Sequence, residues 1–453
     1  MRRPIIPAAG AAMLGAALLS AAAVDFEIPA AEPAEASLTP TQIAGEGFHI
    51  QNPVHSDGLM HHYVVESRFG LFTAYGRDAL AVRLREVAAL TTIAKTSDTE
   101  VVLKSVSRGI EEDARSVVQV ALNPVGTVIG IPKGIAHLFS GYKAEAGEIA
   151  AQVRQTSKGG DSHKGDSHKK EGGRAAQAEH AARQYADRYL GLSAAERRWY
   201  AQLRVDPYTN NEVLRRAVKR LARIDAAASF GVRFAPLGVP FAGEVRRALD
   251  AIYNEDPAVL RKRRHEALAG FGLSASEMES FENALLLTPT RQTLLVDAVQ
   301  GLQGAEGRAE LLRHAAAVTA EDEIEVFLSS TCLLQHFHSR SPVARVLAGL
   351  RVPTAQRADG HVMVFGAFDD VQWTEDVAAY EYAIREALPR DAGVRELWLA
   401  GIASPRAHDA LAERGWEIHD GVEASLGCAS SEALAGTAVP LGLRRSGRGS
   451  SAP

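Results

Sequence analysis

Asp369 and Asp370 are adjacent carboxylates that follow a nearly continuous apolar run from His361 to Phe368, and Gly401-Ile402-Ala403-Ser404 follow a second run, Glu396 to Ala400. If both runs are parallel strands, these residues lie beyond the strands' carboxyl ends, where open α/β sheets bind their ligands. Paired carboxylates there can hold a divalent metal or move a proton, and a Ser at the start of a helix leaves N–H groups free for an anion. Asp369, Asp370 and Ser404 are therefore the catalytic candidates. A turn at Asp369-Asp370 and a simple helix cap at Ser404 explain the same residues. A haloacid-dehalogenase-like phosphatase would need Asp-x-Asp, which these adjacent aspartates do not supply.

His49, His55, His61 and His62 make a second set near the start of the fold, and imidazoles are common ligands for zinc, copper or nickel. Their spacing matches no zinc pattern. Successive strand residues such as His61 and His62 point to opposite faces, so at most three could converge. His336 and His338 sit in a run that looks helical, which suits core or surface histidines. The sequence has no Gly-x-Ser-x-Gly elbow, no His-Glu-x-x-His and no Walker-type loop, and no motif requires a cofactor. That inventory favours a non-enzymatic protein over an enzyme.

The elements that would position these residues divide into three folded parts. Residues 46–156 open with short strands at Phe48 to Gln51, Met60 to Ser67 and Gly70 to Ala74, followed by a helix capped by Asp78 with Leu80, Leu84 and Val87 at helical spacing. Residues 157–173 carry the direct repeat Gly-Asp-Ser-His-Lys in a Gly/Ser/Lys-rich run with nothing apolar to bury, which reads as a linker. Residues 174–338 are helical throughout, with capping boxes at Ser193-x-x-Glu196 and Ser274-x-x-Glu277. The basic run Arg261-Lys262-Arg263-Arg264 reads as a solvated helix face. Residues 339–423 alternate as β-α-β-α-β, which implies a small parallel sheet with right-handed crossovers. The fold class is thus α+β and predominantly helical, with a small N-terminal sheet, a helical middle and a C-terminal α/β part. Residues 424–453 form a Gly/Ser/Arg tail expected to be disordered.

Location is legible at the N-terminus. Met1-Arg2-Arg3, the apolar run Ala8 to Ala23 and the small residues Ala21-Ala22-Ala23 have the build of a secretory signal peptide, residues 1–23, cleaved near Ala23. Residues 24–45, rich in Ala, Pro and Glu, read as a flexible lead. The protein is therefore expected in the periplasm or outside the cell. Formal net charge is −5, becoming −7 (−5 minus 2) when Arg2 and Arg3 leave, so no global field favours nucleic acid.

The most apolar internal stretch, Val117 to Phe139, is broken by Pro124, Pro132 and Lys133, which argues against a spanning helix. A buried helical hairpin is one reading. In the other, the segment lies on a membrane surface or envelope partner, inserting Ile129, Ile131, Leu138 and Phe139 with Lys133 at the headgroups. Cys332 and Cys428 are the only cysteines; if they pair, closing so long a loop would contribute about 4.7 kcal/mol in the chain-entropy model. Alternatively Cys332 is a buried helical thiol and Cys428 belongs to the tail.

Five stretches, Phe69 to Leu90, Asn123 to Phe139, Val205 to Arg216, Leu287 to Arg308 and Leu397 to Trp416, together resemble a family of exported bacterial proteins with no known activity. The resemblance implies export and a shared architecture and carries over no catalytic residue. The expected function is that of an exported, non-enzymatic binding or envelope-associated protein, with an exported hydrolase built on Asp369, Asp370 and Ser404 as the rival.

Overall fold

A computed structural model describes residues 26–96, 180, 182–228, 251–390 and 392–422. They form an α+β fold, largely helical, with several small sheets. The first sheet contains β1 (Ala44–Gly45), β2 (Phe48–Ile50), β3 (His55–Ser56), β4 (His61–Ser67) and β5 (Gly70–Tyr75), all antiparallel. Strand β4 is central: β2 and β3 share one of its edges and β5 runs along the other. It alternates as the period-2 rule demands, with His61, Tyr63 and Val65 buried and His62 and Val64 partly exposed.

Helix α1 (Gly76–Thr96) follows β5 with no intervening loop. Gly76 makes this possible, since its φ is +78° and a Cβ there would stand 2.2 Å from the Met60 methyl. Asp78 falls in the first turn rather than capping the helix. The buried face carries Leu80, Val87, Leu90 and Ile93, and also Glu86, which is 1% exposed. A carboxylate on that face requires partners, and it has them.

Residues 26–45, expected as a flexible lead, are instead built into the fold. Glu32 and Val54 exchange backbone hydrogen bonds, and Ala34 and Leu38 pack with Tyr63 and Val65. The composition of this segment hides two apolar residues that have a place to bury, and backbone pairing with Val54 supplies the rest.

The middle of the chain gives α2 (Ala194–Leu203), α3 (Glu212–Ala228), α4 (Pro257–Ala269), α5 (Ala275–Asn283), α6 (Pro289–Gly301), α7 (Ala309–Ala317) and α8 (Glu321–Arg340). Ser193 and Ser274 close capping boxes, while Asp256 and Thr288 cap helices that begin with Pro, a residue whose missing N–H costs nothing there.

The last part contains β6 (Arg345–Val346), β7 (Thr354–Gln356), β8 (Val362–Gly366), β9 (Asp370–Val371), α9 (Glu375–Ala387), β10 (Arg395–Leu399), β11 (Ile402–Ala403), α10 (Pro405–Glu413) and β12 (Trp416–His419). Strands β8, β10 and β12 are parallel, in the β-α-β-α-β order read from the sequence. The sheet as a whole is mixed, because β7 and β6 extend it antiparallel from β8 to give the order β12-β10-β8-β7-β6. Strands of two or three residues are too short to show a period in sequence. All of β8 is buried, as expected for a strand covered on both faces. One apolar cluster joins α4 to α8 with Met363 and Phe365 of β8, and another joins the C-terminal helices and strands to Leu59, Met60 and Val326. The cores therefore run across the stretches of sequence that contribute them.

Candidate functional site

The carboxyl end of β8 is where the N-terminal sheet docks. The backbone N–H of Asp370 donates to the Leu59 carbonyl (3.1 Å) and that of Gln372 to the Gly58 carbonyl (2.8 Å). Asp369 continues this seam with its side chain: Oδ1 accepts the backbone N–H of His61 at 2.9 Å, and Oδ2 faces His61 Nδ1 at 3.4 Å without a hydrogen bond. On the other side of the ring, Nε2 is 3.8 Å from Asp370 Oδ2. Burial works against a charge on His61, yet Asp369 and Asp370 outweigh it and raise the imidazole above its ordinary value, with Arg77 opposing. Gly401 completes the corner, since a Cβ on it would lie 2.3 to 2.5 Å from the Asp369 backbone.

A cavity of about 110 Å³ opens beside Asp369, walled by all three parts of the chain: Met60, Arg77 and Val82 from the first, Asp206, Arg291 and Glu325 from the second, Phe368 and Gly401 from the third. A larger compartment of about 550 Å³ shares the wall formed by Tyr75, Val82, Glu86, Asp206, Arg291 and Glu325. Carboxylates outnumber guanidinium groups around the two: Asp78, Glu86, Asp206, Glu321, Asp322, Glu325 and Asp369 stand against Arg77, Arg83, Arg85 and Arg291.

Most of these charges are matched. Arg291 bonds Glu321 (2.5 Å), Glu325 (2.6 Å) and the Leu286 carbonyl, and Arg83 bonds Glu86 (2.8 Å) and Asn210 (2.9 Å). Glu86 also accepts from the Thr209 hydroxyl and the Asn211 amide. Two carboxyl groups are less well served. Burial raises Asp206, with Glu86 adding to it, although Thr290 (2.6 Å) and the Tyr208 N–H (2.9 Å) both donate to its Oδ1. Burial raises Glu325 as well, Arg291 opposing and Glu321 adding. Its side chain keeps 40% exposure, so it faces the cavity rather than packed core. The Arg77 Nε is buried without a hydrogen-bond partner, while its charge acts on His61 and Tyr63. The wall thus holds a guanidinium whose Nε lacks an acceptor and, in Asp206, a carboxyl group that burial makes reluctant to ionise.

The sequence candidates land as follows. Asp369 and Asp370 meet Gly401 and Ile402 through the two-stranded pairing of β9 with β11. Ser404 caps α10, accepting the Ala407 N–H at 2.9 Å, and its hydroxyl donates to Glu27 at 2.6 Å. The anion expected at that helix start is thus the protein's own Glu27, which also accepts the Trp373 N–H at 2.5 Å. Ser404 has no free hydroxyl hydrogen for chemistry. The four histidines do not converge: His49 pairs with Glu66 (3.4 Å) on the surface, His55 is exposed, His62 pairs with Asp57 (3.1 Å), and only His61 enters the seam. Among the described residues no group of three or more His, Cys, Asp or Glu side chains could hold a metal ion.

His338 is a core histidine, with Nδ1 accepting the Val343 N–H and Nε2 facing the Gln303 carbonyl. Cys332 is a half-buried free thiol on α8, and Cys428 lies outside the described residues. So do Ile129, Ile131, Lys133, Leu138 and Phe139, and the stretches 1–23, 157–173 and 424–453 that the sequence reads as signal, linker and tail. No described helix is long and apolar enough to cross a membrane. In the sequence Asp206 carries only the turn signal of Asp206-Pro207. No local signal marks Arg77, Glu325 or the partnership of His61 with Asp369.

No family model, curated protein or solved structure matches this chain.

Proposed function

We propose that the chain is an exported binding protein that takes a small molecule carrying both an ammonium and an acidic group in the cavity between its three parts. The observation that carries this reading is a pair of complementary leftovers in one wall: the Arg77 Nε without an acceptor, and Asp206 held above the usual carboxylate range by burial. An ammonium beside Asp206 and Glu325 would favour their ionised forms, and an acidic group would give the Arg77 Nε the acceptor it lacks. Apolar Met60, Val82 and Phe368 would cover the carbon chain between them. Export is supported by the signal-like N-terminus and by the five stretches resembling exported bacterial proteins. The finer division into a sheet-bearing N-terminal part, a helical middle and a C-terminal α/β part belongs to the same reading, as does contact of residues 117–143 with a membrane surface or envelope partner.

Calorimetric titration with 4-aminobutyrate, butylamine and butyrate tests the ligand class. The zwitterion should bind more tightly than either single-charge analogue, Arg77→Gln should abolish its advantage over butylamine, and Asp206→Asn its advantage over butyrate. Heat from none of the three ends the proposal. For the envelope contact, flotation with anionic liposomes should be lost in a folded Ile131→Asp/Phe139→Asp variant.

A hydrolase is the second reading, and one observation favours it: His61 lies between Asp369 and Asp370 at the carboxyl end of a parallel strand. Both ring nitrogens face carboxylates and Ser404 is engaged by Glu27, so no nucleophile is in place. Hydrolysis of a p-nitrophenyl ester or phosphate, lost in Asp369→Asn, would reverse the order of the two readings.

A further inference from the structure

Arg264 stands apart from the basic run that contains it. Arg263 is 63% exposed on its side chain and pairs with Glu255 at 2.6 Å, and Arg261 reaches Glu282 (3.4 Å) and Asn283 (3.1 Å). Arg264 instead shares the buried face of α4 with Leu260 and Leu268, spaced i, i+4 and i+8, and is 3% exposed. Its Nε, Nη1 and Nη2 are all buried and none has a hydrogen-bond partner. The reading of this run as a solvated face is corrected at this one position, because helical phase turns its fourth residue inward.

A guanidinium is never neutral in a protein, and a buried charge is normally tolerated only when paired. Two phenols and one carboxylate act on it, and none of them accepts a hydrogen bond from it. Arg264 acts electrostatically on the hydroxyls of Tyr185 and Tyr208. Tyr185 already donates to Gln292 at 3.1 Å, whereas the Tyr208 hydroxyl is buried without a partner. Arg197, 8% exposed, also acts on Tyr208, and its Nη1 donates to the Leu192 carbonyl. The carboxylate of Glu282 acts on Arg264 electrostatically but is bonded to Arg261 and His265. Unpartnered N–H and O–H donors around a buried positive charge are what a small anion requires.

We propose that Arg264 and the Tyr208 hydroxyl form a buried site for a small monovalent anion, separate from the ligand cavity. Chloride, nitrate and formate are the probes. Tyr208 also stands in the wall of the larger compartment, so the site borders that compartment. A bound anion would lock the π-helical turn Ala186–Leu190, the Asp206-Pro207-Tyr208 turn and α4 together, since all three meet in the cluster of Tyr185, Tyr189, Tyr208 and Leu260.

The test is thermal unfolding of the full chain at constant ionic strength, replacing a bulky sulfonate with each probe and adding no other ligand. The wild-type Tm should rise with at least one probe and follow a saturable single-site dependence. Arg264→Met should lose the dependence while starting from an anion-free Tm at or above wild type, because the unpaired buried charge is gone. Should Arg264→Met fail to fold, Tyr208→Phe, which removes only the hydroxyl, should weaken the dependence at least several-fold. Indifference of the wild type to all three probes, or an unchanged dependence in a folded Arg264→Met, overturns the site. The result is independent of whether the zwitterion binds.

Discussion

Asp369 and His61 are 308 positions apart and meet twice, through the His61 N–H on Oδ1 at 2.9 Å and through Nδ1 facing Oδ2 at 3.4 Å. The two contacts do different work. The first docks one sheet on the other, and an amide oxygen could replace it. The second is electrostatic and holds the imidazole above its ordinary value.

Asp369→Asn separates them. The backbone bond can persist on the amide oxygen, while His61, losing the larger share of its negative surroundings, should titrate lower. Two-dimensional NMR of the imidazole carbon-bound protons against pH reads this directly. A group whose folded value is raised contributes stability below its unfolded value of about 6.5 and loses it as pH rises through the folded value. The variant should therefore lack the wild type's fall in stability over that window.

His314 predicts the opposite slope. Burial, with Arg351 adding, pushes it down to about 4. The unfolded chain then binds a proton that the folded one refuses, so stability is lost as pH falls from about 6.5 toward 4, by up to about 3 kcal/mol. Urea unfolding at pH 7 and pH 4.5 should show the loss in wild type and much less of it in His314→Gln.

Asp206→Asn should stabilise the ligand-free protein. A raised carboxyl in the folded state makes stability fall as pH rises above about 3.9 and on through the folded value. The amide oxygen can still accept from Thr290 and the Tyr208 N–H, so denaturant midpoints should show a flatter pH profile for the variant and a higher value at neutral pH.

Gly401→Ala should cost about 1–3 kcal/mol, because the added methyl lands on the Asp369 backbone, which has no rotamer with which to yield. Chemical denaturation measures the loss. A weakened zwitterion affinity in the remaining folded fraction would place the damage at the cavity wall.

Much of this architecture was legible. The β4 alternation, the Ser193 and Ser274 capping boxes, and the strands ending before Asp369-Asp370 and Gly401 all follow from local periods and caps. What stayed hidden depends on distance. His61 was read with His49 and His62 because they are near in sequence, whereas its partner comes from the far end of the chain. Asp206 advertised a turn, and only the packing of α1, α6 and α8 around it makes its carboxyl unusual. Arg264 lay in plain view within a basic run; its helical phase against Leu260 and Leu268 was the available signal.

Glu27 bonds Ser404 and Trp373, so the first described residues are fastened to nearly the last. A ribosome delivers these partners in strict order, the acceptor hundreds of residues before its donors. Until Trp373 and Ser404 emerge, the Glu27 carboxylate has no donor to hold, and Asp369 and Gly401 of the cavity wall arrive in the same late stretch. Completion of the binding site is thereby tied to a late stage of synthesis, and a chain truncated before residue 369 would lack both the clasp and the Asp369–Gly401 wall of the pocket.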